Sequence, residues 1–109
     1  MILVLGGTSD SLEICHLLNK KNVDYIVSVT TSYGEDLAKK CSNKIILKKL
    51  TIEDMVDFIN KNSITKIIDA THPYAVEVST NAIKASQITS IKYLRFERES
   101  LINDVDYEN

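Results

Sequence analysis

Short apolar runs alternate with longer amphipathic segments from Ile2 to Phe96, and this alternation constrains the fold more than any other feature of the chain. Runs rich in Ile, Val and Leu are typical of strands that are buried on both faces of a parallel sheet. The amphipathic segments have the length and period of helices that connect such strands. The pattern predicts an α/β fold with a doubly wound, five-stranded parallel sheet in the order 3-2-1-4-5.

The bounds of these elements follow from the same pattern. The predicted strands are residues 2–5, 24–30, 44–48, 66–70 and 91–96, and the predicted helices are residues 10–20, 34–40, 51–60 and 74–86. The third helix has the clearest signal, because its apolar residues recur at i, i+3, i+4 and i+7. Thr51 and Asp54 at its start fit a capping box.

Length and composition limit the chain to one ordinary domain. Its 109 residues, 44% of them hydrophobic, suffice for a single core. Periodicity ends after Phe96. We therefore expect residues 1–96 to form the domain, and residues 97–109 to be a linker or tail toward a second domain that this sequence lacks.

Charge, cysteine content and hydropathy exclude several classes of protein. A formal charge of −2 gives no field that would attract nucleic acid or an anionic membrane. Cys15 and Cys41 are too far apart for a CxxC pair and too few for a disulfide scaffold, which fits a reducing cytoplasm. No basic leader precedes the first strand, and no apolar stretch reaches the ~20 residues of a membrane span.

Lysines are concentrated around the third predicted strand. They are Lys39, Lys40, Lys44, Lys48 and Lys49. A solvated surface is the simplest interpretation of such a cluster. The alternative is that these lysines protect an edge strand from unwanted pairing.

A glycine turn follows the first predicted strand, at the edge where the loops after parallel strands gather and ligands bind. Gly6 and Gly7 allow backbone N–H groups to approach a phosphate without a Cβ in the way. The helix that begins near Ser9 or Asp10 adds its positive N-terminal dipole, and Thr8 and Ser9 can donate hydroxyl groups. These residues predict a cofactor phosphate site, and a simple tight turn is the structural alternative.

Thr30, Thr31 and Ser32 follow the second predicted strand, where NAD-dependent domains usually carry an acidic residue that binds the ribose 2′-hydroxyl. Small hydroxyl side chains can instead hydrogen-bond a 2′-phosphate without charge repulsion. This favours NADPH as the cofactor, with NADH as the alternative. An ordinary polar loop would have the same composition.

The loop after the fourth predicted strand contains Thr71, His72 and Pro73, and the expected strand order places it opposite the glycine turn. Pro73 fixes its own φ, restricts His72 to an extended conformation and fits the first turn of a helix. His72 could give a proton beside the cofactor, or it could only position a ligand. Thr71 is a candidate cofactor contact on the same loop.

Two arginines accompany the fifth predicted strand. The guanidinium groups of Arg95 and Arg98 could bind carboxylates or phosphates at the same edge. Pairing with the neighbouring Glu97 and Glu99 is the alternative. The residues alone favour neither interpretation.

Motifs for other chemistries are absent from the sequence. It has no GxSxG nucleophile elbow, no Walker GxxxxGK[ST] loop and no His/Cys cluster with metal-ligand spacing. A phosphoacceptor receiver domain has the same size and winding, but it needs paired acids after the first strand, where this chain has Gly6 and Gly7. Metal catalysis and nucleophilic catalysis are not expected.

Three segments of the chain resemble the precorrin-6A reductase family of cobalamin biosynthesis, which includes cobalt-precorrin-6A reductases. They are residues 2–10 (ILVLGGTSD), residues 69–75 (DATHPYA) with the Val78-Ser79 and Asn81-Ala82 pairs that follow, and residues 93–98 (YLRFER). The segment with Thr71, His72 and Pro73 is the distinctive one. The resemblance covers nearly all of this chain but only the N-terminal half of the usual length of the family.

The resemblance implies a Rossmann-like reductase that transfers hydride from a nicotinamide cofactor to a ring double bond of precorrin-6A or cobalt-precorrin-6A. Gly6, Gly7 and Thr8 would hold the cofactor phosphates. His72 and Tyr74 would border the nicotinamide and the substrate, as the catalytic candidates. The many carboxylates of a precorrin would give the arginines a target. Many members have a basic residue after the second strand, which this chain lacks, so the resemblance does not choose between NADPH and NADH.

A second hypothesis belongs to a different class of protein. A nucleotide-sensing regulatory module would share the fold and the glycine turn but need no proton donor and no substrate arginines. A gene that continues into a second α/β half would favour the enzyme. This chain alone is expected to be inactive, because half of the substrate cleft would be missing.

Overall fold

The computed structural model describes residues 1–42 and 44–96. Its strands are β1 (Ile2–Leu5), β2 (Tyr25–Val29), β3 (Ile45–Leu47), β4 (Lys66–Asp69) and β5 (Lys92–Arg95). Its helices are α1 (Ser9–Lys20), α2 (Ser32–Ala38), α3 (Ile52–Lys61) and α4 (Val76–Thr89). Strands and helices therefore alternate along the described chain, as the apolar pattern predicts.

The five strands form one parallel sheet in the order β3-β2-β1-β4-β5, which confirms the predicted topology. Leu5 at the end of β1 pairs with Ser28 of β2 on one side and with Asp69 of β4 on the other. The loops after these three strands therefore begin side by side at the same edge of the sheet. The chain winds toward β3 on one side of β1 and toward β5 on the other, so the switch point lies between β1 and β4.

Alternate residues of the strands supply two apolar cores, one on each face of the sheet. Leu3 and Leu5 pack with Met55 of α3 and Ala82 of α4 on one face. Val4 packs on the other face, in a core built from α1, α2 and the strands β1 and β2. Burial on both faces explains why the central strand β1 is continuously apolar rather than alternating.

Helix bounds differ from the predicted bounds at α4. The helix begins at Val76 rather than at Tyr74, because the backbone of Ala75 is not helical and its N–H donates to the carbonyl of His72 in a turn, at 2.9 Å. It continues to Thr89, where Ser90 adopts a left-handed conformation with φ 59° and ends it. The polar last turn lacks the apolar stripe from which its length could be predicted.

Residues 97–109, predicted to be a linker or tail, lie outside the described residues, and so does Arg98. Within the described part of the chain, no helix is both long enough and apolar enough to cross a membrane.

Candidate functional site

An open cleft of about 400 Å³ lies at the carboxyl edge of the sheet, where the loops after β1, β2, β3 and β4 meet. It brings together most of the predicted site residues, namely Gly6, Gly7, Thr8, Thr30, Thr31, Thr71, His72 and Tyr74. Ser9, Asp10 and Ser32 do not line it, although each is adjacent in sequence to a residue that does or lies in the same turn. The cleft is where doubly wound folds bind their ligands.

The two glycines of the first loop have different physical roles. Gly7 has a φ of +94°, a conformation that L side chains rarely adopt. A Cβ on Gly6 would lie 2.9 Å from Cγ1 of Val27 and 3.0 Å from Oγ of Ser11, so Gly6 is needed for packing. The turn is therefore both a tight strand-to-helix connection and a wall of the cleft.

Thr8 joins the glycine turn to the neighbouring strand. Its hydroxyl accepts from the backbone N–H of Ser11 at 3.1 Å, which caps α1, and donates to the carbonyl of Ala70 at 2.6 Å. The Thr8 proton is thus used within the protein and is not available to a phosphate in this arrangement. The backbone N–H groups of Gly7 and Ser9 have no acceptor in the described part of the chain, so they remain for an anion.

In the loop after β2, the hydroxyl group of Thr31 caps the N-terminus of α2. Thr31 Oγ1 accepts from the backbone N–H of Gly34 at 2.9 Å and caps that helix. This bond uses a lone pair of Thr31 and leaves its proton for another acceptor. The exposed side chain of Thr30 lines the cleft beside it.

A buried carboxylate organises the loop after β4. Asp69 has no solvent exposure, and its two oxygens accept five hydrogen bonds. The donors are the backbone N–H of Thr71 (3.0 Å), the hydroxyls of Thr71 (2.6 Å), Ser79 (2.5 Å) and Tyr93 (2.6 Å), and the guanidinium of Arg95 (3.0 Å). The network connects β4, α4 and β5 to one loop residue.

Hydrogen bonding determines the charge state of this network. Burial alone would raise the pKa of Asp69, but the hydrogen bonds from Ser79, Thr71 and Tyr93 outweigh it, so the pKa lies below its ordinary value. Burial, together with the bond to Asp69 and its charge, raises the pKa of Tyr93 to about 12. At neutral pH, Asp69 is therefore an acceptor and Tyr93 a donor.

Arg95 is turned toward this network rather than toward the cleft. It does not line the cleft, and its guanidinium also donates to the hydroxyl of Thr71 at 3.0 Å and to the carbonyl of Thr71 at 2.8 Å. Together with Asp69 it fixes the backbone of Thr71 from both sides. A substrate contact from Arg95 stays a prediction, whereas positioning the residue before His72 follows directly from the geometry.

His72 and Tyr74 stand at the rim of the cleft with exposed side chains. The backbone N–H of Tyr74 donates to Nδ1 of His72 at 3.3 Å, and the two ring centroids are 4.8 Å apart. A ring nitrogen that accepts a hydrogen bond carries no proton, which leaves Nε2 of His72 as the donor. Tyr74 is 88% exposed, so its ring is open to contact by a ligand.

Several residues that line the cleft were not predicted as site residues. Among them are Lys49, Leu50, Glu77 and Asn81. Lys49 Nζ and Glu77 Oε1 form an ion pair of 3.0 Å. The signal for Lys49 was its position two residues after a strand, at the same edge as the other loops. Among the described residues, no group of three or more His, Cys, Asp and Glu side chains could hold a metal ion.

A doubly wound sheet whose glycine turn meets polar loops in a cleft at the switch point defines a Rossmann-like α/β domain. The family model described as Precorrin-6x reductase CbiJ/CobK matches residues 1–108. The chain belongs to this family of reductases.

Relatives and a solved structure agree with this assignment. The chain is 41% identical over 100 residues to the cobalt-precorrin-6A reductase of Priestia megaterium, a match that covers 92% of this chain and 39% of the relative. It is 40% identical over 99 residues to the enzyme of the same name from Methanocaldococcus jannaschii, covering 90% of this chain and 40% of that one.

The solved structure of a CobK precorrin-6A reductase superposes with a TM-score of 0.77 at 26% identity, covering 90% of this chain and 37% of that chain. The match with the curated relatives lies in their N-terminal part. The chain spans about two fifths of the length of the relatives that it matches.

Proposed function

We propose that this chain is the cofactor-binding part of a reductase that uses NADPH, with NADH as the alternative, to reduce precorrin-6A or cobalt-precorrin-6A in cobalamin biosynthesis. The nicotinamide, when bound, supplies the hydride for a ring double bond of the macrocycle. The observation that supports this proposal best is the cleft, in which the glycine turn lies opposite the Thr71–His72 loop. Residues 1–96 form the cofactor domain, and a second domain completes the substrate site.

The phosphates of the cofactor fit the first loop. The backbone N–H groups of Gly7 and Ser9 lack protein acceptors within the described residues, and they lie at the positive end of α1. Gly6 and Gly7 leave no side chain between the sheet and a ligand. Asp10 is less suitable, because a carboxylate beside a phosphate is repulsive.

The ribose end of the cofactor fits the loop after β2. Thr30 and Thr31 line the cleft, and the proton of Thr31 is free to donate. Ser32 does not line the cleft, but it follows Thr31 directly and is the first residue of α2. A loop of hydroxyl groups without a carboxylate accepts a 2′-phosphate more readily than an acidic one does.

His72 and Tyr74 border the reacting end of the cofactor in this proposal. His72 Nε2 can donate a hydrogen bond to an amide oxygen or a carboxylate of a ligand. The network of Asp69 and Arg95 holds Thr71, and so orients His72 without touching a ligand. The free thiols of Cys15 and Cys41 accord with the cytoplasm, which is where we place the reaction.

Calorimetric titration of the full chain with NADPH and with NADH tests the proposal. We expect both to bind, NADPH more tightly. Thr30→Glu places a carboxylate in the cleft at the end of β2, and it should weaken NADPH at least about tenfold while sparing NADH.

Tyr33→Glu is the matched control. It adds the same charge three residues away, at a position that is 72% exposed and does not line the cleft. It should leave both affinities within about twofold of the original values. Absence of heat with either nucleotide at concentrations that detect millimolar binding would overturn the cofactor assignment.

A further inference from the structure

Lys49 is the one lysine or arginine among the described residues that line the cleft, and Glu77 is the one carboxylate. Neither has a part in the roles assigned above. The loop after β2, residues 30–34, contains no basic residue that could neutralise a 2′-phosphate. A 2′-phosphate bound beside that loop would therefore need a basic side chain from another strand or helix.

The pairing of β2 with β3 brings that cation to the correct edge. Val29 pairs with Leu47 at the ends of these strands, and the N–H of Lys48 donates to the carbonyl of Val29 at 3.0 Å. Thr31 and Lys49 each lie two residues beyond the paired positions. Adjacent strands are about 4.8 Å apart. The backbone of Lys49 thus leaves the sheet beside the hydroxyl loop.

Lys49 can leave its ion-pair partner, Glu77, for an anionic ligand at little cost. The ion pair with Glu77 joins the end of β3 to the first turn of α4. The two side chains are 73% and 69% exposed, and ion pairs this exposed contribute little to stability. Glu77 alone remains favourable in the first turn of a helix. Releasing Lys49 to a stronger anion therefore costs little.

From these contacts we propose that Lys49 is a specificity-determining residue, which supplies from β3 the positive charge for the 2′-phosphate of NADPH that the loop after β2 lacks. Glu77 acts as its counterion while the cleft is empty. This inference rests on the proposed function, since it assumes that the cleft takes a nicotinamide dinucleotide. A phosphate monoester carries about two negative charges at neutral pH, so it competes well with a single carboxylate.

The test measures affinities of the full chain for NADPH and NADH, with Lys48→Gln as the control for Lys49→Gln. Lys48 is the preceding lysine, it pairs with Asp54 at 3.8 Å, and it does not line the cleft. Lys49→Gln should weaken NADPH about tenfold and change NADH less than about twofold. Lys48→Gln should preserve both affinities, and Lys49→Arg should retain the preference for NADPH.

Glu77→Gln provides a second, opposite change. Removing the competing carboxylate should tighten NADPH by about two- to fivefold without altering NADH. The gain should decrease at high salt, because exposed charges are screened. One outcome would overturn this inference alone. In it the original chain binds both nucleotides, and Lys49→Gln leaves the ratio of NADPH affinity to NADH affinity unchanged. Wild-type chain that binds neither nucleotide would overturn the proposed function and this inference with it.

Discussion

A carboxylate without solvent exposure sits at the end of β4, and its five hydrogen bonds explain why it is tolerated there. Burying a charge is costly unless it is paired and fully hydrogen-bonded. Asp69 meets both conditions, through Arg95 and four other donor groups. Its value to the protein is the orientation of Thr71 and, through it, of His72.

Asp69→Asn should destabilise the fold by about 3 kcal/mol, because the amide removes the charge and turns N–H donors toward other donors. Tyr93→Phe should lower the free energy of unfolding less, by about 1 kcal/mol, because Asp69 keeps its other hydrogen-bond donors. Urea unfolding followed by circular dichroism measures both values. Equal stabilities of Asp69→Asn and the original chain would contradict the role assigned to this network.

The same comparison should depend on pH. The pKa of Asp69 is lower in the folded chain than its unfolded value of about 3.9, so ionisation of this carboxyl stabilises the fold above that pH. This contribution is lost as the pH falls below about 4 toward the folded pKa. The stability difference between the original chain and Asp69→Asn should therefore shrink between pH 5 and pH 3, and a constant difference would refute the assignment.

At the scale of elements, the alternation of apolar runs was sufficient to predict the number, type and order of strands and helices. Parallel strands and right-handed crossovers leave few alternatives once that alternation is recognised. The capping box of Thr51 and Asp54 was also predictable and is confirmed, because its signal is local. The start of α4 was not, since it depends on the turn between His72 and Ala75.

The internal roles of Thr8, Asp69 and Arg95 could not be predicted from local sequence. Each depends on partners that are distant in the chain, such as Asp69 with Arg95, which face each other only through the register of β4 and β5. A polar residue at the end of an apolar strand was the available signal, because such a residue must find partners. It indicates that partners exist, but only the tertiary structure identifies them.

Thr8 gives a prediction that belongs to this scale, because it holds α1 to the end of β4. Thr8→Ala removes the helix cap and the bond to the carbonyl of Ala70, so we expect a loss of about 2 kcal/mol in the free energy of unfolding. Thr8→Ser keeps both hydroxyl bonds and should stay within about 0.5 kcal/mol. Thermal or urea unfolding compares them, and equal losses in the two variants would show that the hydroxyl is unimportant.

At the scale of the whole molecule, the chain matches about two fifths of each curated relative. The cleft opens to solvent, and the exposed Tyr74 and Val76 stand at its rim. A macrocyclic substrate much larger than this cleft would need further walls. Under the proposed function, the described residues therefore account for binding of the cofactor more completely than for binding of the substrate.

Residues 1–109 should consequently bind a nicotinamide nucleotide without catalysing reduction. Absorbance of NADPH at 340 nm, followed in the presence of precorrin-6A or cobalt-precorrin-6A, should not decrease above the background rate. A relative of full length is the positive control for the same assay. Turnover by this chain alone would mean that its own cleft completes the active site.

The edge strand β5 has a consequence for the motions of the cleft. Phe96 N–H donates to the carbonyl of Asp69 at 2.8 Å, while Tyr93 and Arg95 bond the Asp69 carboxylate that holds the N–H of Thr71. Detaching this strand would remove two of the five donors to that carboxylate and the Arg95 bond to the carbonyl of Thr71, so the Thr71 amide would be less firmly held. The hydrogen–deuterium exchange rate of the Thr71 amide should then rise and fall with the rates of the β5 amides. Fraying of β5 and loosening of the loop after β4 would be one cooperative opening.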